Sequence, residues 1–480
     1  MGAILRSSLA IAALAGVARA ADVINLGTDR ELFVDHYLIG ALNGVRLKLN
    51  EPRREGVALA FDRPWEGAFS AYITVIKDGD RYRMYYRGLP EVGKGYVHKQ
   101  VTCYAESPDG ITWTKPNLRL FEILGKRENN VILPNTDWFN ECFTPFLDTR
   151  PGVADEERFK AFARSSKGGL VPFVSADGLR WRTLADHAVI TEGNFDSQNV
   201  SFWSEREQCY VCYFRTTRKI DGTVFRWISR TTSADFLTWA KPAQMEFGDT
   251  PPEQLYTSAT HPYFRAPQIY IAMPKRFFPA KAALPPGQAK NLVANPGYRV
   301  ASSDAVFMTT RGGYHFERTF LEAFIRPGPD PEDWVARDNM PALGVVPATE
   351  RVMWLYRLSH YAQPTSQVTR YSLRTDGFVS VNASYAGGEL ITKPLQFTGN
   401  KLEMNFATSA AGSIRVELQT PEGKAIASRT LDECPEIMGD EIARIVAWRT
   451  GTGLAAWTGQ PVRLRFVMRD ADLYSIRFVP

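Results

Sequence analysis

Three carboxylates, Glu66, Asp196 and Glu253, each stand just ahead of a short apolar run that reads as a β-strand. Two carboxyl groups set on either side of a glycosidic bond can cleave it, one as general acid and the other as nucleophile or base. Glu66 lies between Trp65 and Gly67, ahead of residues 71–75. An indole beside a carboxylate suits a sugar platform with an acid at its edge. Asp196 opens the densest polar cluster at any strand entrance, with Ser197, Gln198 and Asn199 following it. Four consecutive polar side chains entering a central strand are hard to bury unless they face a polar cavity. Glu253 is followed by Gln254, Tyr256 and Thr257, then by His261 and Arg265. Two further entrances carry Asn140 with Glu141, and Trp334 with Arg337, Asp338 and Asn339. Trp65, Tyr256 and Trp334 are candidate stacking surfaces. Glu141, Gln198, Asn199, His261, Arg337 and Asn339 are candidate partners for substrate oxygens. Asp148 reads instead as a loop cap or a partner of Arg150, and Asp35 and His36 fit a structural or a rim position equally well.

A repeated turn supplies the frame that would position these residues. Ser107, Asp109, Gly110 and Trp113 recur as Ser175, Asp177, Gly178 and Trp181, and again as Ser233, Asp235, Phe236 and Trp239. A worn copy follows at Thr310, Gly312, Gly313 and Phe316, and a stub at Asp376, Gly377 and Phe378. Copies begin at residues 107, 175, 233 and 310, so successive copies lie 58 to 77 residues apart, the length of one four-stranded sheet with generous loops. Asp-Gly marks a tight turn, because Gly accepts positive φ and Asp bonds its local backbone. The Trp three residues later returns on the next strand, placed to pack between neighbouring sheets. The runs before each copy are short, aromatic and β-branched, and helical periodicity is nearly absent. The expected fold is all-β: a five-bladed β-propeller whose strands converge on one funnel.

The propeller is expected over residues 21–379, with the strand at 31–39 as a leading element that docks on it. From 380 to 480 the turn phrase disappears, and alternating strands at 401–406, 413–418, 462–467 and 475–479 read as a C-terminal β-sandwich. Residues 278–296, rich in Pro, read as a long surface loop. Residues 1–20 resemble a secretory signal, with Arg6, an apolar run at 9–17 and Ala18 and Ala20 at a small-x-small cleavage site. The expectation is a secreted or periplasmic protein with no membrane insertion after signal removal.

The net charge of +5 and pI of about 8.8 come from dispersed Lys and Arg with no basic tract, so nucleic acid is not an expected partner. Five cysteines do not make a disulfide scaffold; Cys209 and Cys212 fall on opposite faces of a strand. The six histidines are scattered without a His-Glu-x-x-His motif, and no Gly-x-Ser-x-Gly elbow occurs.

With the propeller, the turn phrase and the trailing sandwich together, the chain resembles the five-bladed propeller glycoside hydrolases, the clan of invertases, fructanases, arabinanases and β-xylosidases. In that clan the blade turn commonly carries Ser-x-Asp-x-x-x-Trp. The Asn-Asp-Pro-Asn-Gly signature of invertases is missing, as are Arg-Asp-Pro and Glu-Cys-Pro as units; Glu141 and Cys142 ahead of Pro145 form a distorted echo. The resemblance implies hydrolysis of a plant- or algal-type oligo- or polysaccharide by a carboxylate pair in the funnel. It assigns that pair to Asp196 and Glu66, with Glu253 competing for the acid role and Glu141 and Arg337 tuning them or holding a substrate oxygen. No cofactor is expected; a structural Ca²⁺ on the propeller axis stays open without a motif for it. The rival readings are a non-catalytic glycan-binding propeller and a lyase built on Tyr256, His261 and Arg265.

Overall fold

In the first three turn phrases one hydrogen-bond pattern repeats. The Gly110 N–H donates to Ser107 Oγ (2.8 Å), and the Ile111 and Thr112 N–H groups donate to Asp109 Oδ1 (2.7 and 2.8 Å). The Trp113 indole N–H closes the turn on the Gly110 carbonyl (3.2 Å). The same bonds hold Ser175, Asp177 and Trp181, and Ser233, Asp235 and Trp239. The residue after the Asp takes φ of 72°, 74° and 69°; in the third copy it is Phe236, which accepts this left-handed backbone while burying its ring. The bond from the Thr238 N–H, joined by those from Leu237 and Ser233, draws the Asp235 carboxyl down to about 2.

The computed structural model describes residues 23–89, 100–134, 139–293, 296–335 and 337–480. The signal-like segment 1–20 therefore lies outside the described residues. Blade one is Ala71–Asp78, Arg81–Gly88, Val101–Ser107 and Val131–Leu133. Blade two is Phe139–Leu147, Phe159–Ser165, Leu170–Ser175 and Arg182–Thr183, and blade three is Val200–Ser204, Cys209–Ile220, Thr223–Ser233 and Ala243–Gln244. Blade four pairs His261–Tyr263, Ala266–Ala272 and Met308–Thr310; its two longer arms continue as a hairpin, Lys275–Phe278 with Ser302–Ala305. The Pro-rich excursion from this hairpin holds a short helix, Pro286–Leu292, where a loop was expected. Blade five is Met340–Pro341, Val352–Ser359 and Gln367–Arg374, closed on its outside by Arg53–Ala60 from near the start of the chain. The inner strands touch in ring order, with blade five returning to blade one.

Every phrase also clamps the preceding blade. Tyr356 of blade five donates to the Gly110 carbonyl (2.7 Å), Arg83 of blade one to the Asp177 carbonyl (2.8 Å), and Phe236 stacks on Phe162 of blade two at 4.7 Å. The Gly313 N–H reaches Glu207 of blade three at 3.4 Å, and Tyr263 of blade four donates to Asp376 of the stub at 2.8 Å.

The second unit is the β-sandwich, and both ends of the chain build it. Lys401–Gln419 and Arg463–Val479 run together as long strands over a core that includes Leu402, Phe406, Val416, Leu464 and Phe466. Against the expected boundary, residues 24–49 join this unit rather than the propeller. Glu31 pairs with Ile476, Leu49 with Val379, and Ile24 with Leu395. None of the five cysteines is joined in a disulfide, and among the described residues no helix is long and apolar enough to cross a membrane.

Candidate functional site

The inner strands begin with strained backbone. Tyr72, Cys142, Ala259 and Asn339 take φ of 55°, 58°, 45° and 59° just before the regular ladders of blades one, two, four and five. A left-handed conformation at residues bearing a Cβ costs about 1 kcal/mol or more each, and such strain gathers where side chains must be aimed. Blade three begins instead with the polar run 196–199.

These entrances meet on the axis, where alone side chains of non-adjacent blades can touch. The Tyr72 hydroxyl of blade one lies 3.2 Å from the Asp196 carbonyl of blade three and 3.3 Å from the Tyr256 hydroxyl ahead of blade four. Gln198 donates across the same gap to the Ile73 carbonyl (2.9 Å). The Asp196 carboxylate is 50% exposed and accepts from Arg215. Arg337 lies over the rings of Tyr256, Tyr298 and Phe277. Among the described residues, buried oxygens of Ser197, Gln198, Asn199, Thr257, Ser258 and Thr260 find no partner, as expected for chain entering a polar cavity.

The other two selected carboxylates are held elsewhere. Glu66 has a side chain 0% exposed, with its oxygens accepting from Tyr86 (2.6 Å), Lys115 (2.7 Å) and the Arg63 N–H (2.9 Å). Trp65 is buried and donates to Asn130 (2.6 Å), so no sugar platform stands there. Glu253 is 18% exposed and bridges Arg276 (2.9 Å) and Arg318 (2.5 Å). The expected catalytic pairing of Asp196 with Glu66 or Glu253 is therefore corrected: both glutamates are spent on ion pairs and buried bonds that tie strands together.

His261 is likewise structural. Its Nδ1 bonds the Ala259 carbonyl (3.0 Å) and its Nε2 accepts from the Val345 N–H (3.0 Å), and burial pulls its pKa down to about 4. Arg265 pairs with Asp376 (2.9 Å), which takes it out of the lyase grouping. Asn199 donates to the Phe195 and Ser197 carbonyls, Asn339 to the Ser303 and Asp333 carbonyls, and Trp334 to the Gly328 carbonyl; these contacts shape the entrances. Glu141 pairs through its backbone with Arg164, and its side chain lies outside the described residues. Asp148 accepts from the Arg150 N–H, Tyr210 and Lys160, and Asp35 from Thr309 and Arg311, both inside the scaffold.

Sequence reasoning singled out Arg337 but missed the other cations. Arg87, Arg215, Arg226, Lys275 and Arg337 gather around Tyr72 and Tyr256, the first four from strands of blades one, three and four and Arg337 from the turn ahead of blade five. The signal was alternation: Lys275 and Phe277 share the face of their strand that meets Tyr256, while Arg276 turns away to Asp304. Among the described residues one group has metal-ligating atoms close together, Asp330, Asp333 and His360. His360 Nε2 lies 3.3 and 3.8 Å from the two carboxylates, but Arg357 already occupies Asp333 Oδ2 at 2.8 Å.

No protein-family model and no curated protein matches the chain. Among solved structures its fold is similar to an N-acetylgalactosamine deacetylase from F. plautii in complex with blood group B trisaccharide, at 11% identity, 68% of this chain, 97% of that chain and a TM-score of 0.47. It is also similar to a fructofuranosidase from Schwanniomyces occidentalis complexed with fructosylnystose, at 10% identity, 88% of this chain, 97% of that chain and a TM-score of 0.40. A third is a structure from the GH130 family of mannoside phosphorylases, described as containing glycoside hydrolases that target beta-1,2 mannosidic linkages in Candida mannan. It matches at 14% identity, 68% of this chain, 94% of that chain and a TM-score of 0.39. At these identities the likeness is one of fold.

Proposed function

We propose that the propeller axis binds a glycan and hydrolyses a glycosidic bond in it, with Asp196 as the working carboxylate. The observation that carries this reading is the state of Asp196: alone among the three selected carboxylates it is half open to solvent, beside the phenols of Tyr72 and Tyr256. A carboxylate paired with a guanidinium serves as nucleophile or base rather than as proton donor. The paired hydroxyls of Tyr72 and Tyr256 adjoin it as donors to a sugar oxygen. Rings and unpartnered polar atoms around one axis are also what a sugar needs for stacking and hydroxyl recognition.

A second reading is β-elimination, favoured by the Tyr256 ring lying among cations able to neutralise a substrate charge. Incubating the protein with plant and algal polysaccharides separates the two. New reducing ends without ultraviolet absorbance indicate hydrolysis, and an unsaturated product absorbing in the ultraviolet indicates elimination. Asp196→Asn is expected to lower hydrolytic turnover by about 100-fold or more, with an unchanged melting temperature. Hydrolysis at the wild-type rate in that variant removes Asp196 from the reaction, and binding with no product from any glycan leaves a glycan-binding propeller.

A further inference from the structure

The Tyr256 ring is surrounded by positive charge. Lys275 Nζ lies 5.3 Å from its centroid, and the guanidinium carbons of Arg215, Arg226 and Arg337 lie 5.4, 5.6 and 5.8 Å from it. Arg87 stands over neighbouring Tyr72 at 4.6 Å. One ring has two faces, so cation–π attraction cannot offset the mutual repulsion of four cations in a half-buried place.

Protein countercharge is scarce. Among the described residues only Arg215 of these five forms an ion pair, with Asp196. Arg226 donates to the neutral amide of Gln254 (3.2 Å), and Lys275 to the Arg337 carbonyl. Arg337 is half-buried, and its guanidinium lies over the rings of Tyr256, Tyr298 and Phe277. The Asp338 carboxyl, which acts on Lys275, is fully buried, and its two oxygens accept from the Asn339 and His360 N–H groups (2.8 and 2.7 Å). Two of the five, Arg226 and Lys275, have lowered basicities. Burial, then the neighbouring Arg215 and Arg337, draw the Arg226 pKa down; burial draws Lys275 far down against the pull of Asp338. Unmatched guanidinium groups beside stacking rings are built for an oxyanion, which the planar fork of Arg grips through paired N–H bonds.

We propose that the funnel recognises an anionic glycan, one bearing carboxylate or sulfate-ester oxyanions, and that Arg226 and Arg337 grip the anionic group with Lys275 behind them. This rests on the reading of the axis as a glycan site. The oxyanion substituent sets the sugar against Tyr256, so that its glycosidic oxygen falls toward Asp196.

Thermal-shift titration with sodium glucuronate, sodium sulfate and glucose, at ionic strength matched with NaCl, tests the recognition without requiring turnover. A saturable rise in melting temperature is expected with glucuronate or sulfate and none with glucose. The tighter of the two anions assigns the source as uronate or sulfate ester. Arg226→Gln and Arg337→Gln are expected to weaken that response by about fivefold or more, with Arg337→Lys keeping part of it. Raising NaCl from about 20 to about 200 mM is expected to weaken the wild-type response about tenfold, a measurement that stands if a variant fails to fold. Equal responses to glucose and the anions, Gln variants that respond as wild type, or indifference to salt each overturn the proposal. An intact anion response together with Asp196→Asn hydrolysing normally removes the hydrolytic reading and leaves this one standing; hydrolysis of neutral glycans with no anion response does the reverse.

Discussion

At the junction of propeller and sandwich Arg30, Arg265 and Arg311 each face a carboxylate, whereas among the described cations around the propeller axis only Arg215 does. Asp376, from the stub of the turn phrase, is the centre of the junction. It accepts from Tyr263 and Arg265 of the propeller (2.8 and 2.9 Å) and from Asn405 and Ser475 of the sandwich (3.0 and 2.7 Å). Arg30 lies 3.6 Å from it and pairs with Glu403 at 2.5 Å, and Arg311 nearby bridges Glu31 and Asp35. The same residue type thus does two jobs. Where charge is matched within the protein it orders the architecture, and where it is left unmatched beside rings and strained strand ends it awaits a ligand.

The contrast breaks most severely if the junction is cut. Asp376→Ala removes the buried acceptor shared by Tyr263, Arg265, Asn405 and Ser475, while Arg30 keeps Glu403, and is expected to cost about 3–5 kcal/mol, read as a lower urea midpoint. A loss under 1 kcal/mol would show the junction to be no more than decoration. Acid sharpens the contrast next. The folded pKa of His261 lies at about 4, below its ordinary 6.5, so its contribution is present above pH 6.5 and is lost as pH falls toward 4. The decline is expected to be on the order of 2–3 kcal/mol; denaturant melts at both ends of that range should show a shallower fall in His261→Gln than in wild type. Ser175→Ala removes the hydroxyl that accepts from the Gly178 N–H, at an expected cost of about 1 kcal/mol. The same cost should follow for Ser107→Ala if the phrases are equivalent, and calorimetry of the two variants compares them directly. The smallest effect has the opposite sign. Arg226→Met relieves like-charge crowding at the axis and is expected to raise stability at low salt by up to about 1 kcal/mol, while weakening the anion response. A destabilised Arg226→Met would place Arg226 with the matched arginines.

The propeller was legible because its signal is local. Ser107, Asp109, Gly110 and Trp113 bond within one turn, so their spacing alone phases the blades. The reach of residues 24–49 into the sandwich was not legible, since Glu31 meets Ile476 only through the folded chain. Site positions fared in the same way. Asp196 stood out because a polar run entering a strand conflicts with burial. Glu66 and Glu253 occupy comparable places, but the partners that close them off, Lys115, Arg276 and Arg318, lie far along the sequence and leave no local trace. The cations around Tyr256 come from four separate stretches and converge only in three dimensions.

The strand Arg53–Ala60 that closes blade five has a consequence in time. Its partner, Gln367–Arg374, is synthesised some three hundred residues later, and residues 24–49 wait longer still for theirs at the end of the chain. Until then the opening strands present unpaired edges, an invitation to association with other chains. Pairings this distant in sequence make for slow folding. A chain that stops short can complete neither the ring nor the sandwich, so its first residues remain unsheltered and open to proteolysis. The ring therefore closes only once Gln367–Arg374 has arrived to meet the opening strand.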